Sequence, residues 1–543
     1  MKTNPQPESG ADAADFAERV RRNQRKLTSD LQPHFDFIVC GSGSSGSVVA
    51  RRLAENSDVS VLLLEAGGGD DVASVIDAGQ WLANLGSERE WSFHALPNPH
   101  LNCRSLPLPM GKVLGGGSRI NAMIWARGYK SDWDFYAAEA GDPVWSYESV
   151  SSMYRRIEDW HGTPDPKYRG TGGPVFVQPA HDSNRIAPAM LEAARSIGIP
   201  TFESHNGRMM ETEGGASILD LRVRDGKRLS VFRTYTFPYM DRPNLTVLTD
   251  ALVTRLTFSG KRATGVEMSY NGSTYRIRAG REVVLSLGAI HTPKVLMQSG
   301  IGDQSELQRL GVPLVEHLPG VGRNFQDHVG FDCVWESREA LPRRNNLVQS
   351  TLVSKSDTAL DSPDLQVFQN EFPKSSPENI ARFGLPAIGW TLFGTIVRPK
   401  SSGQLRLTGP NPLDPIQIEA NFLSHPDDLK AARACVELCR EIGNSAHLGP
   451  FAKREVLPGK LEGRDLKDFI RNAALTVWHQ SCTAKMGRDS MSVVDGTLKV
   501  YGIDRLRIAD GSILPRVPTG NTMAPCVIIG ERAGEILRSE HKI

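Results

Sequence analysis

No stretch of the 543-residue chain approaches the ~20 consecutive apolar residues that a bilayer-spanning helix needs, so no membrane span is expected. The first residues lack the apolar core of a secretory signal. The twin arginines Arg21 and Arg22 are followed by Asn23, Gln24, Arg25 and Lys26 where an apolar run would have to stand. A cytoplasmic location is therefore expected. Charge of one sign is missing too. A formal net charge of +1 gives neither the basic footprint of a nucleic-acid binder nor an acidic surface. Cysteine is sparse: Cys40, Cys103, Cys333, Cys435, Cys439, Cys482 and Cys526 are scattered, odd in number and without a C-x-x-C pair. That points to a reducing compartment. Cys435 and Cys439 are spaced to share a helix face, but no His or Asp stands at ligand spacing, so they read as buried thiols and no metal is expected. Internal repeats and low-complexity tracts are absent. What remains is ordinary globular composition, 39% hydrophobic and 23% charged, with 51 Gly and 34 Pro. It suits a loop-rich enzyme of more than one domain, or one large domain.

Residues 1–34 are polar and partly disordered in character; 13–31 reads as a helix with a basic run from Arg19 to Lys26. A solvated arm or face is the simplest expectation, with packing on a neighbouring subunit of a homo-oligomer as the alternative. At Phe35 the character changes. Residues 35–40 form a short buried-strand pattern, 47–54 read as helix and 59–65 as a second strand. Strand patterns recur at 245–248, 251–256, 263–270, 274–279 and 283–287, and a final helix at 530–540.

Between the first strand and helix stand Gly41, Gly43 and Gly46 in G-x-G-x-x-G spacing, with Glu65 ending the next strand. The spacing alone is weak, but this context is that of a dinucleotide-binding unit. Gly41 permits the tight turn, Gly43 the approach of a pyrophosphate, and Gly46 the close packing of helix on strand. The helix N-terminus, with Ser45, offers free N–H groups to phosphate. Glu65 is placed to accept from ribose hydroxyls and would repel a 2′-phosphate. Spacing does not separate NAD from FAD.

A family resemblance begins at Gly111 and runs through Lys112, Val113, Leu114, Gly115, Gly116, Gly117, Ser118, Arg119 and Ile120 to Asn121, continuing to Trp125, Gly128 and Asp134. This is similar to the first signature of the glucose-methanol-choline (GMC) oxidoreductases. Gly288 to Gly302 resembles the second signature, and Pro319 to His328 the segment after it. Trp478 to Gly487 resembles the active-site histidine motif. Leu506 to Ser512 and Gly520 to Pro525 resemble the C-terminal flavin segment. Together the resemblance spans residues 35–540.

It implies an α/β fold: a GMC-type, Rossmann-like FAD-binding domain with a second, substrate-binding domain on a mixed or antiparallel sheet. Beyond the arm at 1–34, the FAD domain is expected at 35–160, 240–330 and 490–543, and the substrate domain at 161–239 and 331–489. FAD contacts are implied at Gly41, Gly43, Ser45, Gly46, Glu65, Ala66, Gly111, Leu114, Gly115, Gly116, Ser118, Asn121, Ala122, Met123, Val253, Asp510, Gly511, Asn521, Thr522 and Met523. The glycine run would lie flat against the ring or the diphosphate. Some relatives bind flavin covalently through a histidine just before the loop asparagine. Ile120 stands there and cannot form that bond, so non-covalent FAD is expected. Gln480, Ser481 and Cys482 depart from the pattern of relatives that carry Gly before the Thr, which leaves local pocket shape open.

The resemblance implies oxidation of an alcohol to an aldehyde or ketone by proton abstraction and hydride transfer to flavin N5. His479 is the expected base, since imidazole titrates near neutrality. Asn521, as donor and acceptor, would hold the alcohol oxygen. His291 and His328 read as structural. Trp478 is a candidate pocket wall favouring flat aryl or furan carbinols, and Met123 a candidate for packing over the ring. A primary (hetero)aromatic alcohol is the expected substrate, with oxygen or another acceptor taking the electrons. A hydroxynitrile-lyase-like activity or fatty-acid photodecarboxylation on the same scaffold are the alternatives.

Overall fold

The computed structural model describes residues 10–543; the part of the expected arm at 1–9 lies outside the described residues. The first strand, His34–Cys40, is apolar and buried over 37–40, and the second, Val61–Leu64, is apolar and buried throughout. That pattern belongs to strands covered on both faces. They pair in parallel with each other, and Val61–Leu64 pairs in parallel with Leu245–Leu248. On the other side His34–Cys40 pairs in parallel with Ser273–Leu285, from which the antiparallel strands Arg262–Tyr270 and Leu252–Ser259 continue to the edge. Leu506–Ile508 joins Ser273–Leu285 in parallel. Three distant stretches of sequence thus build one Rossmann-like sheet.

The second sheet is antiparallel throughout. Its strands run in the order Ala452–Leu457, Val329–Ser337, Gly389–Ile396, Leu365–Asn370, Val348–Ser354 and Gly215–Ile218, with Leu475–Thr476 also pairing with Val329–Ser337. The fold is therefore α/β, a dinucleotide-type sheet with an antiparallel sheet beside it. One stretch of the expected second domain packs elsewhere. Residues 231–239 lie on the dinucleotide helix Ser44–Ala54: Thr236 Oγ1 donates to the Ser47 carbonyl at 2.8 Å, and Arg51 sits over the Tyr235 and Tyr239 rings at 5.1 and 5.0 Å.

The two strands expected at 274–279 and 283–287 are one, Ser273–Leu285. It changes partners along its length, antiparallel to 262–270 first and parallel to Leu506–Ile508 afterwards. The C-terminal helix starts earlier than its punctuation suggests, Met523–His541, because Pro525 falls in its first turn, where proline costs no hydrogen bond.

The helix Gly10–Ser29 presents the expected solvated basic face and docks its other face on the protein. Arg21, Arg22, Arg25 and Lys26 face solvent as expected, but Val20 and Gln24 are buried on the same chain. Gln24 Nε2 donates to the carbonyls of Met240 and Leu245, each at 2.8 Å, and its Oε1 accepts from Val247 N at 2.9 Å. The glutamine thus serves the edge of the dinucleotide sheet. Among the described residues no helix is long and apolar enough to cross a membrane, and no cluster of metal ligands forms.

Candidate active site

A single cavity runs from the Gly41 turn to Trp478 and is lined from both sheets. At one end Gly41, at φ +96°, turns the chain so tightly that a Cβ would stand 2.3 Å from the Ser286 carbonyl oxygen. A Cβ on Gly46 would stand 1.9 Å from the Gly41 carbonyl oxygen, whereas one on Gly43 would meet nothing within 4 Å. Gly43 therefore presents open backbone to the cavity, while Gly46 is needed for helix-on-strand packing and does not line it. Helix Ser44–Ala54 has no side-chain cap and no acidic residue in its first turn, so its free N–H groups and positive end stay available to an anion.

Glu65 ends the next strand as expected and lines the cavity, but its carboxylate is already engaged. It accepts from Ser42 N at 3.1 Å, Ser42 Oγ at 2.6 Å and Gly67 N at 2.9 Å. Burial raises its pKa against these hydrogen bonds. Val253, Ala66, Asp510 and Gly511 line the same region. Asp510 is buried and accepts from Gly288 N, Thr292 Oγ1 and Ser512 N at 2.9, 2.6 and 2.8 Å.

The glycine loop lies against the turn. Gly111, Gly116, Asn121 and Ala122 line the cavity; Leu114, Gly115, Ser118 and Met123 do not. The reason is local packing. Gly115 N donates to Ser42 Oγ at 2.8 Å, and Ser118 Oγ donates to the Gly115 carbonyl at 2.8 Å. A Cβ on Gly116 would stand 2.8 Å from Gly43 Cα, and one on Gly111 would stand 2.4 Å from the Gly116 carbonyl carbon. Gly116 lets loop and turn touch, Gly111 lets the loop close on itself, and Gly117, with no atom within 4 Å of a Cβ built on it, faces the cavity. Leu114 belongs to the main core, and Met123, at φ 58°, packs its side chain into an apolar cluster with Trp81, Phe368 and Phe393.

Farther along, the C-terminal helix opens into the cavity with Thr522 and Met523, again with neither a side-chain cap nor an acidic first turn. Asn121 Nδ2 donates to Met523 Sδ at 3.1 Å. A carboxylate at one end, glycine backbone and an uncapped helix in the middle, and a second uncapped helix beyond make a set of groups that fits FAD: ribose hydroxyls, diphosphate and the carbonyl-bearing end of an isoalloxazine.

His479 and Asn521 meet beside that second helix, Asn521 Nδ2 lying 3.1 Å from His479 Nε2. Asn521 Oδ1 is buried without a hydrogen-bond partner among the described residues. Sequence reasoning missed what stands behind them. His328, read as purely structural, places Nδ1 2.8 Å from His479 Nδ1, and its Nε2 lies 3.0 Å from the Pro518 carbonyl oxygen. A carbonyl can only accept, so His328 carries its proton on Nε2 and its Nδ1 accepts from His479 Nδ1–H. This fixes the neutral His479 tautomer with an unprotonated Nε2 toward Asn521. Burial, with the neighbouring His328, pushes the His479 pKa well down; burial pushes that of His328 down to about 4. Asp327 anchors the segment, accepting from His479 N at 2.8 Å and from the Thr476 hydroxyl, and burial raises its pKa to about 7.

The remaining wall is aromatic. Trp81 and Trp478 meet edge to face at 5.9 Å, and Phe368 and Phe393 pair across neighbouring strands. His291 also lines the cavity, its ring centroid 4.0 Å from that of Trp91. Lys374 and Asn370 complete the polar wall. Of these, Trp478 and His291 fall within the family segments, whereas Trp81, Trp91, Phe368, Phe393, Asn370 and Lys374 carried no motif and only the fold brings them to one place.

Two family models, each described as GMC oxidoreductase, match residues 35–330 and 399–530. The chain is 35% identical to the oxygen-dependent choline dehydrogenase of Citrobacter koseri, over 94% of this chain and 96% of that one. It is 33% identical to the alcohol dehydrogenase [acceptor] of Pseudomonas putida, over 93% and 95%. Among solved structures it is similar to pyridoxine 4-oxidase from Mesorbium loti, with a TM-score of 0.88 and 30% identity over 94% of this chain and 99% of that one.

Proposed function

The chain belongs to the GMC oxidoreductase family as an FAD-dependent enzyme acting on alcohol CH–OH groups, and from that premise we propose that it oxidises a primary aromatic or heteroaromatic alcohol to the aldehyde. FAD, when bound, supplies the hydride acceptor. Gly41, Gly43, Ser45, Glu65, Ala66, Gly111, Gly116, Val253, Asp510 and Gly511 would hold its adenosine and diphosphate. Asn121, Ala122, Thr522 and Met523 would hold its ring, without a covalent bond because Ile120 has no group to form one.

The observation that carries the reading is the hydrogen-bonded chain from Pro518 through His328 to His479. It leaves the Nε2 lone pair of His479 as the basic group facing Asn521. His479 Nε2 takes the hydroxyl proton of the alcohol, and Asn521 Nδ2 turns from the imidazole to the alcohol oxygen. Both atoms hold the carbinol carbon in one orientation, which supplies much of the acceleration. The depressed His479 pKa keeps the base unprotonated at neutral pH. Trp81, Trp478, Phe368 and Phe393 exclude water, and the two indoles and Phe368 are left to pack on a flat substrate.

A quaternary-ammonium alcohol is the second reading, favoured by the relatives named choline dehydrogenase. Against it, the carboxylates lining the cavity among the described residues are Glu65 and Asp510, both saturated by hydrogen bonds at the nucleotide end. An aromatic wall alone can hold such a cation, but here it already carries the ammonium of Lys374 over Phe393, at 3.5 Å.

The test is anaerobic reduction. Benzyl alcohol and pyridine methanols should bleach the visible flavin band, choline should bleach it far more slowly, and His479→Ala should stay yellow with turnover lowered by about 10²–10⁴-fold. Faster bleaching by choline would reverse the substrate assignment, and near-normal rates in the variant would remove His479 from the chemistry.

A further inference from the structure

Lys374 follows the strand Leu365–Asn370 and lines the active-site cavity. Its Nζ donates to Asp332 Oδ1 at 2.5 Å and lies 3.5 Å from the Phe393 ring centroid. Asp332 and Phe393 are register partners on adjacent strands, and Phe393 in turn faces Phe368. The cation therefore rides on the aromatic row that walls the substrate space. An ammonium has three N–H donors, and Asp332 Oδ1 is the one acceptor Nζ meets among the described residues. With one N–H on Asp332 and the ring face beneath the ammonium, a donor is left for something that enters the cavity. Asp332 is fully buried, its Oδ2 has no partner, and burial raises its pKa against the opposing pull of Lys374. A buried pair so incompletely satisfied is a weak source of stability. Its evident effect is to hold the ammonium in place on the ring face.

We propose that Lys374 is a specificity-determining residue whose ammonium receives an anionic oxygen, a carboxylate or phenolate, carried on the ring of the aromatic alcohol. This rests on the aromatic-alcohol reading of the same cavity. A charge-assisted bond of this kind is strong and directional. It serves an anionic ring, is indifferent to an unsubstituted one, and offers nothing to a quaternary ammonium.

The holoenzyme would be titrated with 4-methylbenzoate and with 4-methylbenzamide, neither of which can be oxidised as an alcohol, following the perturbation of the bound flavin's visible band. The wild type should bind the carboxylate about tenfold or more tighter than the amide, as expected for one charged hydrogen bond. Lys374→Met should abolish that ratio, and Lys374→Arg should keep most of it. Asp332→Asn, which retains the ammonium and removes its counter-charge, should raise it. In turnover, Lys374→Met should lower the ratio of kcat/KM for 4-(hydroxymethyl)benzoate to that for benzyl alcohol at least tenfold. A wild-type ratio near one, or a ratio that survives in Lys374→Met, overturns the assignment; if Lys374→Met loses its flavin, the Asp332→Asn and Lys374→Arg ratios decide. Should the binding ratio hold while neither alcohol reduces the flavin, the ligand site stands and the alcohol reading fails.

Discussion

A histidine becomes a useful base only when its proton sits on the right nitrogen. In this chain that choice is made by a residue 151 positions away: His328 accepts from His479 Nδ1 because its own Nε2–H is committed to Pro518. Replacing His328 with Ala removes the acceptor and lets His479 take the other tautomer, with Nε2 blocked. We expect kcat/KM to fall by about ten- to a hundredfold. The pH dependence gives a sharper sign. The base works unprotonated, and its pKa is lowered, so the acid limb of wild-type kcat/KM should lie below the ordinary imidazole range. Without His328 the pocket admits water and loses a neighbour that lowers the value, so the limb should move to higher pH. A pH–rate profile in which neither level nor limb shifts would make the pair incidental. His479 and Asn521 were legible in the sequence as motif positions. The link to His328 was not, because nothing local connects the segment before Val329 with the one after Thr476; their pairing at Val329–Thr476 exists only in the folded sheet.

At the scale of elements, what the sequence showed best was the first strand–turn–helix–strand unit, since its residues interact with near neighbours in the chain. The glycine loop was found, but half of its physics was not legible: Gly111, Gly115 and Gly116 are also crowded by Gly116, Arg119 and Gly43 respectively, so the loop's glycines serve packing within the chain as well as the cavity. The strand Ser273–Leu285 was split in the reading because Gly280 interrupts its apolar pattern, and its change of partner is a property of topology. The turn itself supports a direct prediction. Gly46→Ala places a methyl 1.9 Å from the Gly41 carbonyl oxygen, which is backbone and cannot rotate away. Helix Ser44–Ala54 must then lift from strand His34–Cys40. A loss of about 1–3 kcal/mol follows from overpacking, and the turn that faces the diphosphate is displaced. FAD content per chain should drop severely and the thermal midpoint should fall. Gly43→Ala, where a Cβ meets no protein atom within 4 Å, should leave the fold intact and weaken FAD alone. Equal damage to folding from both would contradict the separate jobs assigned to the two glycines.

Across the whole molecule, the segment between the sheets is held by charges rather than by apolar contact alone. Arg127 and Arg169 both reach Glu158 Oε2, at 2.5 and 3.0 Å, and Arg169 also reaches Asp220 Oδ2 at 2.8 Å; all four side chains are at most 3% exposed. Trp125 donates its indole N–H to Glu158 Oε1 at 2.9 Å and its backbone N–H to the Asp220 carbonyl at 2.9 Å. The stretch that follows Asn121 is thereby tied to strands Glu158–Trp160 and Asp220–Leu221. The network was not visible in sequence, where Arg169 and Asp220 carry no motif and lie far apart in the chain. Burial alone would raise the Asp220 pKa, but Arg169, His205, Ser204 and Asn206 outweigh it and the net shift is downward. A carboxyl lowered in the folded state contributes stability that is present above its unfolded pKa and lost as pH falls through the depressed value. Arg169→Met reverses the balance. It leaves Asp220 buried with its main counter-charge gone, at a cost of about 3–5 kcal/mol at neutral pH, and lets burial raise the carboxyl's pKa. A group raised in the folded state is penalised when ionised, so acidification relieves the variant as Asp220 takes up a proton. Urea unfolding of both proteins at pH 7 and again at mildly acidic pH should therefore show a deficit that is largest at pH 7 and smaller on the acid side. A deficit that stays constant or grows on acidification would mean that Arg169 stabilises the fold through its packing on the Trp160 ring, 3.5 Å away, and not through its charge.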